Sequence, residues 1–168
     1  PTFSLMRNCR NTQHIHAAVV RFYRSEPRPQ PFGPPGRAPE IFYYREATEL
    51  ERHVRALLHR FLVTERLDTS DVVVLSPRRW GALQPGARYG NYLLTETLTP
   101  ESGEVSLLTV QSFKGLESPV IILAGLEDDV WPDPVTVAYV GMSRARNHLV
   151  LLTHEGLSAD VKALLPPT

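Results

Sequence analysis

Apolar residues along the chain gather into short uncharged runs, separated by polar and glycine-bearing connections. Val72 to Leu75, Val105 to Thr109, Val120 to Ala124 and Leu149 to Thr153 are four such runs, rich in leucine and β-branched residues. Apolar runs that do not alternate with polar positions are expected of strands covered on both faces, as in a parallel sheet. Phe3 to Met6 and Ile41 to Tyr44 read as two further strands. Between strands the period lengthens. Ile15, Ala18, Val19 and Phe22 fall on one face of a helix over Gln13 to Arg24, with Thr12 as its N-cap. Leu50, Val54, Leu57, Leu58, Phe61 and Leu62 draw an apolar stripe along a second helix over Glu46 to Leu62. Pro27 to Pro39 is too proline-dense for either and predicts a surface loop. Residues 81 to 104 carry no clear period. The pattern predicts α/β class, and 168 residues predict one domain with a parallel sheet flanked by helices.

The candidate chemistry lies beside the last three buried runs. Gln111, Ser112, Lys114, Gly115 and Glu117 follow Val105 to Thr109, while Ser143, Arg144 and Arg146 precede Leu149 to Thr153. Ligands of open α/β sheets sit at the carboxyl ends of the strands. Both groups are therefore expected on one edge of the sheet, with Arg10 nearby. Ser76-Pro77-Arg78-Arg79-Trp80 closes another buried run, which makes Arg78 a candidate for a nucleic-acid phosphate and Trp80 a residue of the core or its rim, with stacking on a base as the alternative. Gly81 to Gly86 has the glycine spacing of a phosphate loop. Ala87-Arg88 stands where that loop needs a lysine and a hydroxyl, so the segment reads as a turn. No complete nucleotide site is expected from this chain.

Composition narrows the classes further. Hydrophobic residues make up 42% and charged residues 21%, and no run of about 18 apolar residues offers a membrane span. A soluble, cytoplasmic protein is expected. Cys9 is a single cysteine, and the six histidines lack companions at metal-ligand spacing, so neither a disulfide nor a metal site is expected. The formal charge is zero but uneven. Residues 1 to 100 carry 14 basic against 9 acidic residues, and the remainder 4 against 9, too dispersed to define a nucleic-acid patch by composition alone.

Thr109-Val-Gln-Ser-Phe-Lys-Gly-Leu-Glu117 resembles motif V, and Tyr139-Val-Gly-Met-Ser-Arg-Ala-Arg146 motif VI, of the UvrD, Rep and PcrA type of superfamily 1 DNA helicases. Arg7-Asn-Cys-Arg-Asn-Thr12 resembles their motif IV, with Cys9 in place of an aromatic residue. Gln111 also stands where many relatives carry histidine, and Ser118-Pro119 replaces the usual aromatic after the glutamate. The resemblance implies a second RecA-like domain over residues 1–168, with motif IV at about 5–15, motif V at about 105–125 and motif VI at about 137–153. It implies the C-terminal motor half of an ATP-dependent DNA helicase or translocase. Arg144 matches the arginine finger and Arg10 a second phosphate arginine. Glu117 matches the carboxylate that takes the ribose hydroxyl, with Gly115 allowing close approach. Thr109, Gln111 and Ser112, with Arg78, are the implied DNA contacts. ATP and Mg2+ are the implied ligands, the metal held mainly by an N-terminal RecA-like domain of the same parent protein. Single-stranded or partly duplex DNA is the implied partner, and no membrane. A degenerate RecA-like module that only scaffolds protein or nucleic acid is the alternative.

Overall fold

The computed structural model describes residues 7–24 and 28–167. Seven strands form the main sheet: β3 (Glu40–Tyr44), β4 (Val72–Ser76), β5 (Arg88–Tyr89), β6 (Tyr92–Thr95), β7 (Glu104–Thr109), β8 (Ser118–Leu126) and β9 (Ala145–His154). Their spatial order is β3-β9-β8-β4-β7-β6-β5, and every pairing is parallel except the short β5–β6 hairpin. The preceding strands β1 (Arg7–Asn8) and β2 (Gln30–Pro31) form a separate parallel pair. The strand expected at Phe3 to Met6 lies outside the described residues.

Alternation along the buried strands explains their unbroken apolar runs. Val73, Leu75, Ile121, Leu123, Leu149 and Leu151 enter one core layer, beneath α1 (Gln13–Val20) and α3 (Pro134–Met142). Val72, Val74, Val120, Ile122, Val150 and Leu152 enter the other, beneath α2 (Ala47–His59). Both faces of the sheet are covered, so every second residue is apolar for one layer and its neighbour for the other. Helix α2 buries Leu50, Val54, Leu57 and Leu58. It then widens into a π turn over Arg60–Thr64, which carries Phe61 and Leu62 inward.

Helix α3 and strands β2, β5 and β6 escaped the sequence pattern, β2 lying within the proline-rich stretch expected to be a loop. Helix α3 is apolar around most of its circumference and rich in valine, so its period is blurred. Its start is nonetheless well marked, because Asp133 accepts hydrogen bonds from Thr136 N at 2.9 Å and Thr136 Oγ1 at 2.8 Å, and proline follows the cap. Strands β5 and β6 fall in the segment without clear period. They are too short for a pattern; β6 pairs with β7, and β5 only with β6.

Candidate functional site

Arg10 is presented by a turn built from two asparagines. Asn8 Oδ1 accepts from Arg10 N at 3.0 Å and Asn11 N at 3.2 Å, and Asn8 Nδ2 donates to Asn11 Oδ1 at 2.8 Å. Buried Asn11 then donates to the carbonyls of Ser143 and Ala145, and Thr12 N donates to Arg146 O at 3.1 Å. The Asn8–Thr12 turn and the Ser143–Arg146 segment, more than 130 positions apart, are thereby locked together by backbone carbonyls. Sequence reading missed this role of Asn8 and Asn11, although paired asparagines before a helix are a turn signal.

The side chains above that lock form a charged cluster. Arg10 Nε donates to Glu117 Oε2 at 2.8 Å, and Arg146 Nη1 lies 3.6 Å from Glu117 Oε1. Arg144 is half-buried. Its Nε donates to Val140 O at 3.1 Å, at the end of α3, and its Nη1 reaches Leu116 O at 3.5 Å. Burial, and next the nearby Arg10 charge, loosen the Arg144 proton, but a guanidinium starts so high that it stays charged. Two guanidinium groups therefore pair with one carboxylate and a third lies nearby on backbone carbonyls, a surplus of two positive charges suited to an anion carrying several oxygens. Gly115 opens this end of the segment with φ of +90°, a conformation that favours glycine.

Arg78, Thr109, Gln111 and Ser112 line a different feature, a groove of about 480 Å³. Thr109 and Ser112 are interlocked there. Ser112 N donates to Thr109 Oγ1 at 3.0 Å, and Thr109 N donates to Ser112 Oγ at 3.1 Å. Arg78 is not a free cation, since its guanidinium bridges Glu127, at 2.8 Å, and Asp129. Glu127 also accepts from Tyr44 Oη at 2.7 Å, and burial followed by that contact pushes the Tyr44 phenol far above its usual range. Trp80 is half-buried against the α2 core layer, as expected. Trp131 was not singled out from the sequence, yet it stands 77% exposed on the groove wall.

Glu117 meets Arg144, Arg146 and Arg10 on one edge as expected, but Gln111 and Ser112 do not join them, and the edge is the amino rather than the carboxyl one, so the expectation is corrected on those two points. Thr109, Gln111, Ser112 and Arg78 follow the carboxyl ends of β7 and β4, whereas Glu117 and Arg144 immediately precede the amino ends of β8 and β9. Because these strands are parallel and in register, the clusters lie at opposite ends of the sheet, roughly 20 Å apart for six strand residues. Residues 110–117 are the return crossover between them, anchored by buried Val110 and Phe113. Among the described residues no group of three or more histidine, cysteine or acidic side chains could hold a metal ion.

Comparison with known proteins bears on the fold and on part of the chain. Residues 91–156, which contain the crossover and the Arg144 segment, match the family model of the UvrD-like helicase C-terminal domain. The ATP-dependent DNA helicase UvrD1 of Mycobacterium leprae (strain TN) is 42% identical over 62 residues, a match covering 30% of this chain and 8% of that protein. The C-terminal domain of a possible DNA helicase from Lactobacillus plantarum WCFS1 superposes with a TM-score of 0.65, over 90% of this chain and 91% of that one. Its 17% identity carries the fold alone. Residues 91–156 thus match the UvrD-like helicase C-terminal domain, and the chain as a whole has the fold of a helicase C-terminal domain.

Proposed function

We propose that this domain is the second half of an ATP-driven motor that moves on DNA, closing over a nucleotide held mainly by an N-terminal RecA-like domain. The observation that carries the reading is the convergence of Arg10, Glu117, Arg144 and Arg146 at the amino edge, with Arg10 and Glu117 at 2.8 Å across 107 positions of sequence. Arg144 and Arg10 are assigned to the γ-phosphate, and Glu117 with Gly115 to the ribose. A guanidinium suits the first task because it can bridge two phosphate oxygens and does not titrate. Glu117 suits the second because a carboxylate accepts the hydrogen bond of a ribose hydroxyl. Arg10 would exchange its bond to Glu117 for phosphate as the cleft closes. Magnesium, which neutralises phosphate charge when bound, would be held by the N-terminal domain.

Thr109, Gln111 and Ser112, with Arg78, are assigned to the DNA side. The crossover 110–117 then links the two functions mechanically, since one end touches the nucleotide cluster and the other the groove. A shift of the crossover when Arg10 and Arg144 engage phosphate would be felt at Thr109.

Substituting Arg144→Ala in the full-length protein that carries this domain tests the assignment. DNA-stimulated turnover should fall by about 10³-fold or more, while the KM for ATP changes much less, because the finger acts on charge that develops in the transition state. Normal turnover in steady-state assays with single-stranded DNA would remove Arg144 from the reaction.

A further inference from the structure

We infer that Arg146 is a positioning residue of the proposed nucleotide site: it keeps Glu117 in place when Arg10 leaves that carboxylate for phosphate. The inference rests on the nucleotide reading above and deepens it. It starts from an irregularity in the sheet. Ser118 of β8 pairs with Ala145 of β9, and Val120 pairs with His148, so β9 holds one residue more than β8 between the two pairs. Opposite the surplus stands Pro119, which has no N–H to give to a ladder. The bulge breaks the alternation of β9. Ala145 and His148 are buried, whereas Arg146 and Asn147 between them are both exposed. Bulges re-aim side chains, and here the Arg146 guanidinium comes to lie 3.6 Å from Glu117 Oε1.

The three arginines of the cluster are held in different ways. Arg10 is exposed on its turn and bonds Glu117 Oε2 at 2.8 Å. Arg144 is tied instead to the carbonyls of Val140 and Leu116. Arg146 is fixed at its main chain, because its carbonyl accepts from Thr12 N at 3.1 Å and the Ala145 carbonyl before it accepts from Asn11. The two ion pairs of Glu117 use different oxygens, so one can break without the other. When Arg10 transfers to phosphate, Oε2 becomes free for the ribose hydroxyl, while Arg146 stays beside Oε1 and holds the carboxylate. A carboxylate already oriented loses less freedom on taking the ribose than one left to rotate.

The test compares ATP with deoxy-ATP in DNA-stimulated turnover by the full-length protein that carries this domain. Arg146→Ala should raise the KM for ATP about two- to fivefold, the scale of a partly exposed ion pair, while kcat and the KM for deoxy-ATP stay nearly unchanged. The preference for ATP then narrows by the same factor. Arg146→Lys keeps the charge and should restore most of it. A variant that merely loses folded protein loses turnover with both nucleotides alike, which leaves the ratio unmoved. An unaltered ratio in Arg146→Ala, or no recovery in Arg146→Lys, overturns the positioning role, and a narrowed ratio in Glu117→Ala then leaves the ribose reading standing. A fall in kcat comparable to that of Arg144→Ala would put Arg146 on phosphate and overturn the role as well. An unaltered ratio in Glu117→Ala takes down the ribose reading and this inference together.

Discussion

Glu117 faces two arginines at once, Arg10 at 2.8 Å and Arg146 at 3.6 Å, and that double contact shapes what its substitution should do. In the full-length protein, Glu117→Ala removes the acceptor proposed for the ribose, where Gln would keep a neutral one. It should weaken ATP binding and narrow the preference for ATP over deoxy-ATP. Competition between the two nucleotides reads this directly, and an unchanged ratio would take Glu117 off the ribose. His148 carries a second prediction. It is buried, its Nε2 lies 2.8 Å from Glu40 Oε1, and its Nδ1 has no partner among the described residues. Burial lowers its pKa below the ordinary value near 6.5, against the opposing pull of Glu40. Below about pH 6.5 the unfolded chain therefore takes up a proton that the folded chain resists, so this contribution is complete above that pH and shrinks as pH falls through it. Urea unfolding between about pH 8 and pH 5.5 should show this decline, and His148→Gln should flatten it. An equally steep profile for the variant would place the pH dependence elsewhere.

Helix α2 and helix α3 illustrate two ways in which an element is held. The α2 stripe was legible because Leu50, Val54, Leu57 and Leu58 repeat at helical spacing, and each is buried under the sheet. Leu58 is fully buried, so Leu58→Ala should cost about 2–5 kcal/mol, measured as a lower urea midpoint at unchanged slope. Helix α3 was not legible, because apolar residues surround it and valine favours strands. Its position depends instead on the Asp133 cap and on the cores of β8 and β9. Asp133→Ala should cost about 1 kcal/mol, and a variant as stable as the parent would show that packing alone sets the start of α3. The strand pair β5 and β6 had no local signal of any kind. It exists where β7 offers an unpaired edge.

For the molecule as a whole, the amino-edge cluster touches a nucleotide from one side only. Three arginines and Glu117, most of them partly exposed and screened by salt, should bind Mg-ATP no better than about millimolar and should not hydrolyse it. Calorimetric titration of the 168-residue chain measures this. Micromolar affinity or steady turnover would reveal a complete site within the chain and overturn the half-motor reading. The sequence by itself determined the layered α/β class, because strands covered on both faces must be continuously apolar, and it determined which polar residues flank them, because motifs are local strings. Only the tertiary structure decided where those residues meet. The order β8-β4-β7 and the common direction of the strands send the chain back across the sheet after Thr109, so neighbours in sequence end at opposite edges. Likewise, no local rule joins Arg10 to Glu117 or Arg78 to Glu127 and Asp129, since those pairings form only once distant strands have taken their places.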